Sequence, residues 1–152
     1  MKEIVIGCDV AAIELKKHII EVLEALNIKY EDVGVNSIQD EEMYPNVAER
    51  VTRKIMESGY EKEGILLCGT GIGMAIVANK FHGIYAAVCH DIFSAERARL
   101  SNDVNVLTMG ARVIGPELAK KIVKEWLNLE FKPSSSTAKI EKIKEFEALN
   151  FK

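Results

Sequence analysis

Short apolar runs alternate along the chain with longer segments in which apolar residues recur every three or four positions. The short runs are typical of strands that are buried on both faces of a sheet, and the longer spacing is typical of amphipathic helices. The runs predict five strands, at residues 3–8, 29–34, 64–68, 84–89 and 104–109. The helical spacing predicts helices at residues 12–26, from Pro45 onward, at 72–80, at 94–100, from Pro116 onward and at about 138–150.

Strands that alternate with helices predict a parallel sheet with helices on both faces, because each crossover helix packs back onto the sheet. We therefore expect an α/β fold, a three-layer α/β/α sandwich around a five-stranded, Rossmann-like parallel sheet. The length of 152 residues suits one hydrophobic core. The serine-rich stretch at residues 132–137 is a turn, too short to link two domains. The prediction is a single domain over residues 1–152.

Composition limits the partners more than it limits the activity. Hydrophobic residues make up 48% of the chain and charged residues 28%, and the net charge is −3. Such a charge argues against nucleic acid or an anionic membrane surface as a partner, because both need a positive field. No apolar run approaches the roughly 20 residues of a membrane span, and the N-terminus predicts a strand rather than a signal peptide, so we expect the cytoplasm. Three separated cysteines without a CxxC pair argue against a disulfide framework.

Side chains with possible catalytic or binding roles follow the ends of three predicted strands. In an open parallel sheet, ligands bind outside the carboxyl ends of the strands. The first strand ends at Cys8-Asp9, the third at Cys68-Gly69-Thr70 and the fourth at Cys89-His90-Asp91. These residues are therefore predicted to share one edge of the sheet, and a site is expected there.

The stretch LLCGTGIGMA places Cys68 between a strand and a helix that begins near Gly71. Amides at the start of a helix stabilise negative charge, and a thiol in that position can have a pKa below its usual value of about 8.5. Gly69, Gly71 and Gly73 leave several amides open toward one anion. Two interpretations stay open: Cys68 is a base beside an anion-binding loop, or it is a small buried residue above glycines needed for packing.

Other uses of a glycine-rich loop do not fit the spacing. A nucleotide phosphate loop needs Gly-Lys followed by Ser or Thr, and a GxGxxG fingerprint needs glycine where Ile76 stands. No metal-ligand spacing joins Cys8, Cys68, Cys89 and His90, so no metal site is expected.

Several segments resemble the ribose-5-phosphate isomerase B and galactose-6-phosphate isomerase family. They are GCD after the first strand, Tyr44-Pro45, CGTGIGMAIVANK and NDVNVLTMGARVIG, in the family's order within about residues 1–127. The resemblance implies interconversion of an aldose phosphate and a ketose phosphate without a cofactor. It also implies a homodimer or tetramer with active sites shared between subunits, in which the C-terminal helix reaches a neighbouring subunit.

The resemblance implies roles for individual residues. Cys68 would carry the proton between C1 and C2, and Thr70 would move or orient protons at O1 and O2. The amides of Gly69, Gly71 and Gly73 would hold the enediolate oxygen. Asp9, Tyr44 and Asn102 would bind the sugar, and His90 is expected at the site because it follows a strand. A base near the reacting carbon and donors aimed at the developing oxyanion are what isomerisation needs.

The chain departs from the family pattern at histidines and arginines. Val10 follows GCD where the family has histidine, and Ser101 stands where ribose-5-phosphate members have a ring-opening histidine. The arginines and the histidine of the family's tail are replaced by serines and a lysine. Phosphate is therefore expected on Ser135, Ser136 and Lys139. Arg97 and Arg99 are alternative phosphate ligands, although a surface position without a role in binding is a competing interpretation of each.

The missing histidine leaves the substrate open. A tetrose 4-phosphate cannot close a ring, and HDIFSAERARLSND resembles the family branch that handles four-carbon sugar phosphates. Alternatively His90 opens the ring, and galactose-6-phosphate-type subunits depart at the same positions. The first hypothesis is an isomerase of ribose 5-phosphate or a related sugar, with tetrose 4-phosphate and galactose 6-phosphate as alternatives. The competing hypotheses are a non-catalytic subunit of a hetero-oligomer and a nucleotide-binding module.

Overall fold

The computed structural model describes residues 1–151 and contains one parallel sheet. Its strands are β1 (Ile4–Cys8), β2 (Tyr30–Asp32), β3 (Glu63–Cys68), β4 (Ala86–Val88) and β5 (Val106–Gly110), in the order β2-β1-β3-β5-β4. After a short 3-10 turn at Val10–Ala12, the helices are α1 (Ile13–Ala25), α2 (Tyr44–Glu57), α3 (Ile72–Ala78), α4 (Ile92–Asn102), α5 (Pro116–Asn128) and α6 (Thr137–Asn150). Lys152, the last residue of the predicted domain, lies outside the described residues.

The predicted α/β/α sandwich is confirmed. Helices α2 and α3 pack on one face of the sheet, and α1, α4 and α5 form the layer on the other face. Strands β1, β3 and β5 are buried along their whole length because both of their faces are covered, which explains their continuous apolar sequences. Among residues 1–151, no helix has the length and apolar character to cross a membrane.

Three strands differ from the prediction in their boundaries. The edge strands β2 and β4 have three residues each, half the predicted length. Within residues 1–151, no strand pairs with the outer side of β4. There the side chain of Asn79 accepts the amide of Ala86 at 2.8 Å and donates to its carbonyl at 3.0 Å. Strand β5 begins at Val106 instead of residue 104, because the amide of Val104 donates to Ala98 and so completes the end of α4.

The strand order determines where a site can form. The chain moves from β1 to β2 on one side of the sheet and from β3 to β4 and β5 on the other, so its direction reverses between β1 and β3. Such a reversal leaves a crevice between the loops that follow the two strands. We call the end of the sheet at Cys8, Cys68, Val88 and Gly110 the carboxyl edge, and the opposite end the amino edge.

Candidate active site

Cys68 ends β3 at the crevice and is 5% exposed. Its Sγ accepts a hydrogen bond from the amide of Gly71 at 3.1 Å. Gly71 has a left-handed φ of 78°, and a Cβ there would lie 2.9 Å from the main chain of Met109. Only glycine fits this tight turn, which returns the amide to the sulfur.

Two of the amides that follow have no hydrogen-bond partner among the described residues. The first backbone bond of α3 is made by Ala75, whose amide donates to the carbonyl of Gly71 at 3.2 Å. The amides of Gly73 and Met74 donate to no atom of residues 1–151. Thr70 is exposed at the mouth of the loop, where its hydroxyl accepts the amide of Ile72 at 3.3 Å. A thiol beside unpaired amides can serve as a base next to an oxyanion site.

Tyr44 lies against one side of this loop. It is the first residue of α2, and Pro45 follows it at a position where a helix loses no hydrogen bond to proline. A Cβ at Gly73 would collide with the ring and hydroxyl of Tyr44. Glycine at position 73 is therefore required for the approach of the partly exposed phenol, and its role in binding the sugar stays a prediction.

Arg112 lies against the other side of the loop, and the sequence analysis did not identify it. A Cβ at Gly69 would lie 3.3 Å from its Nη1, and its amide donates to the carbonyl of Gly69 at 3.0 Å. The other four arginines of the chain pair with carboxylates, whereas Arg112 has no such partner within residues 1–151. A guanidinium in this position suits a phosphate or carboxylate. The signal for it is its position two residues past the fifth strand, at the same edge as the residues that follow the first, third and fourth strands.

The other two cysteines at this edge are structural. Burial raises the pKa of Cys8 and of Cys89 to about 11, so both thiols are protonated at neutral pH. The Cys8 thiol donates to the carbonyl of Val35 at 3.3 Å, and Cys89 is 1% exposed. All three cysteines are free, and no cluster of three or more metal-ligating side chains occurs in the described part of the chain.

Asp9 and His90 flank the loop at the ends of β1 and β4. The Oδ1 atom of Asp9 accepts the amide of Ala11 at 3.0 Å and so caps the 3-10 turn. The Nε2 atom of His90 accepts the amide of Gly110 at 2.9 Å, and burial lowers the pKa of His90. The carboxyl edge thus brings together Asp9, Tyr44, residues 68–73 and His90, but the Nε2 atom of His90 is already occupied.

Four predicted site residues lie elsewhere in the chain. They are Asn102, Ser135, Ser136 and Lys139. Asn102 ends α4, and the next residue, Asp103, lines two grooves of about 770 and 420 Å³ at the amino edge together with Lys2 and Glu63. The segment that carries the serines and the lysine leaves from the same edge, where Lys132 lines the larger groove. Within one chain, these residues do not meet Cys68.

Arg99 is a core residue, which corrects both the phosphate-binding and the surface interpretations. It is 4% exposed, and its guanidinium donates to both carboxylate oxygens of Glu63 at 2.6 and 3.0 Å. The same group stacks 3.9 Å from the ring centroid of Trp126. These contacts hold the guanidinium in the core, so it is not the free cation that the phosphate-binding interpretation needs. Arg97 is exposed and pairs with Glu96 at 3.4 Å.

Comparison with known proteins links this geometry to one family. The model of the Ribose/Galactose Isomerase family matches residues 4–143. The chain is 48% identical over 149 residues to Ribose-5-P isomerase B of Listeria innocua, which covers 97% of this chain and 99% of that protein. It is 49% identical over 147 residues to D-erythrulose-4-phosphate isomerase of Pectobacterium atrosepticum, covering 97% and 96% of the two chains. The structure of Clostridium thermocellum Ribose-5-Phosphate Isomerase B matches with a TM-score of 0.90 at 35% identity, covering 97% and 98%.

Proposed function

This chain belongs to the ribose/galactose isomerase family and is a sugar-phosphate isomerase, and from that premise we propose that Cys68 is the base that interconverts the aldose and ketose forms. One observation carries the proposal. The sulfur of Cys68 accepts the amide of Gly71 at 3.1 Å, beside the unpartnered amides of Gly73 and Met74. A base and an oxyanion site on the same loop are what proton abstraction next to a carbonyl requires.

In the proposed reaction, the thiolate of Cys68 takes the proton from C2 of the aldose. The electron pair of that C–H bond moves toward the carbonyl, and the negative charge develops on O1 of the enediolate. The unpartnered amides of the loop bind this oxygen. The Cys68 thiol, whose proton can exchange with solvent, then donates a proton to C1, while Thr70 passes a proton from O2 to O1, so the ketose forms and the thiolate is restored. The proton transfer needs no cofactor. Because it needs a reduced thiol, we also propose that the chain acts in the cytoplasm.

The phosphate requires cations that the loop itself does not supply. We assign it to Arg112 of the chain that supplies Cys68, since this guanidinium lies against Gly69 and has no carboxylate partner in residues 1–151. Ser135, Ser136 and Lys139 would complete the phosphate site from a second copy. Hydroxyls and an ammonium group hold phosphate without the two-pronged geometry of arginine, so Arg112 is expected to dominate.

We propose a homodimer whose active sites each use both copies. Ile72 and Ile76 on α3 are 55% and 57% exposed, and Phe146 and Leu149 on α6 are 54% and 70% exposed. Exposed apolar groups in such rows are typical of surfaces that bind another protein, here a second copy of the chain. The second copy would bring Asn102, asparagine being suited to hydrogen bonds with the sugar, to the carboxyl edge of the first.

Mixing two inactive variants tests the shared site. Cys68→Ala and Asn102→Ala homodimers should each be inactive, whereas random exchange of subunits gives half heterodimers with one complete site each. Activity should therefore recover to about a quarter of the wild-type value. Absence of recovery, with subunit exchange verified by native mass spectrometry, would contradict the shared site but leave the role of Cys68 intact.

Ribose 5-phosphate is the first candidate substrate, and Ser101 favours a tetrose 4-phosphate as the second. Serine cannot replace a ring-opening histidine, and a tetrose 4-phosphate has no ring to open. The test is kcat/KM of the purified chain for four-, five- and six-carbon aldose and ketose phosphates. Ser101→His should raise the pentose rate relative to the tetrose rate, and Ser101→Asn, without a titratable ring, should not. An unchanged ratio in Ser101→His would remove the ring-opening argument.

A further inference from the structure

His90 lies at the carboxyl edge next to β5, and the proposed chemistry gives it no role. Its Nε2 accepts the main-chain amide of Gly110 at 2.9 Å. A ring nitrogen that accepts a hydrogen bond carries no proton, so the imidazole is neutral and its proton is on Nδ1. We propose that His90 is a positioning residue that holds the end of β5, and through it the Cys68 loop, and that its protonation in acid releases this hold.

Gly110 is coupled to the catalytic loop by close main-chain contacts. It is paired with Cys68 in the register of β3 and β5, and a Cβ at Gly110 would collide with Cα of Thr70. The amides of the next two residues donate to the carbonyls of Cys68 and Gly69, at 2.9 and 3.0 Å. The second of these donors is Arg112. A shift of Gly110 therefore moves both the cation and the loop on which it lies.

Few ionisable groups surround the imidazole. Helix α3, which packs on β4, has no titratable side chain, and neither does β5. The ionisable groups nearest in the chain are the neighbouring Cys89 and Asp91. On the surrounding elements they are Glu96 and Arg97 within α4, Cys68 at the end of β3 and Arg112 after β5. Burial lowers the pKa of His90 more than the neighbouring Asp91 raises it. The carboxylate of Asp91 is itself held by Ser94, whose amide and hydroxyl donate to it at 2.7 and 2.6 Å.

Protonation converts the Nε2 atom from an acceptor into a donor that faces another donor. The bond to Gly110 is then lost, and the end of β5 is no longer fixed against the loop. Because burial lowers the pKa of His90 below its usual 6.5, the ring is mainly neutral and the hold is present at neutral pH. The hold is lost as the pH falls through the lowered pKa. Activity should fall over the same interval.

The kinetic test compares His90→Gln with His90→Asn. The Oε1 atom of glutamine can reach the position of Nε2 and accept the Gly110 amide without titrating, whereas asparagine is one carbon shorter. We expect kcat/KM of His90→Gln to stay within about threefold of wild type near pH 8 and His90→Asn to lose about tenfold or more. His90→Gln should also lack part of the acid-side fall. The substrate phosphate titrates near pH 6 for every variant, so only differences between variants count. His82→Gln, at the amino edge, is the control and should keep the wild-type profile.

A second measurement needs no turnover. The amide signal of Gly110 in the NMR spectrum of the wild type should shift with the titration of His90 and should not shift in His90→Gln. The kinetic test of the inference rests on the proposed function, whereas the NMR test does not. An active Cys68→Ser variant would refute the proposed base and leave the Gly110 titration standing. Equal activities of His90→Gln and His90→Asn, or a full acid-side fall in His90→Gln, would overturn the positioning role.

Discussion

Replacing Cys68 by serine removes the proposed base with the least change in structure. The serine Oγ can accept the amide of Gly71, which the Cys68 sulfur accepts at 3.1 Å, so the turn keeps its hydrogen bond. A thiol ionises within reach of neutral pH, but a hydroxyl does not. Loss of a general base typically costs about 10²- to 10⁴-fold in rate, so kcat of Cys68→Ser should fall by that factor with little change in KM.

The alanine variant adds a cost in stability that the structure allows us to estimate. Without the sulfur, the buried amide of Gly71 loses its acceptor. An unsatisfied buried donor costs about 1–3 kcal/mol, which in a domain of this size lowers the melting temperature by about 2–4 °C for each kcal/mol. Cys68→Ala should therefore be both inactive and less stable, whereas Cys68→Ser should unfold close to the wild-type temperature.

The assay follows exchange of the C2 proton with deuterium from solvent by NMR, because this reports the proton transfer directly. Cys89→Ala is the matched control. Its thiol is also buried at the carboxyl edge but makes no contact with the loop amides, so turnover should stay at the wild-type level. A Cys68→Ser variant that exchanges the C2 proton within about tenfold of wild type would refute the assignment.

Three further substitutions test the loop, the phosphate site and the core. Gly73→Ala places a methyl group where the Tyr44 ring lies, so the ring should swing into solvent. We expect kcat/KM to fall about tenfold or more with an unchanged urea midpoint, and wild-type kinetics would exclude a role for Tyr44. Arg112→Lys keeps the positive charge but loses the two parallel hydrogen bonds that a guanidinium can donate to phosphate. KM for the sugar phosphate should therefore rise about tenfold with a smaller change in kcat. An unchanged KM would show that the phosphate binds elsewhere. Arg99→Met leaves the carboxylate of Glu63 buried without its partner. The free energy of unfolding, measured by urea titration, should fall by about 3–5 kcal/mol. Replacing a surface arginine would not produce a loss of this size.

The central strands and the Cys68 loop could be predicted because their signals are local. Strands β1, β3 and β5 are buried on both faces, so each is a continuous apolar run, and their ends were predicted within two residues. The edge strands lack that signal. The start of β4 is set by the side chain of Asn79 on Ala86, a contact that no periodicity in the sequence reveals.

The two arginines show why charged residues are hard to place from sequence. Arg99 lies on a helix, where charged side chains usually face solvent, and its burial depends on Glu63, which is 36 positions away in the chain. The guanidinium of Arg112 lies on Gly69, and that contact exists only once β5 has paired with β3. Both positions follow from strand and helix pairing rather than from neighbouring residues.

The separation of the predicted site into two halves follows from topology alone. In a parallel sheet, the strand that ends at the carboxyl edge must return through its helix to the amino edge before the next strand begins. Helix α4 has 11 residues and spans about 16 Å, so Asn102 at its end cannot lie beside Cys68 of the same chain. The resemblance nevertheless assigns both residues to one site. The two statements are compatible if Asn102 of one copy meets Cys68 of another, and a two-fold axis then creates two equal sites. A sequence motif that spans both edges of one sheet is therefore itself an argument for an active site built by two copies.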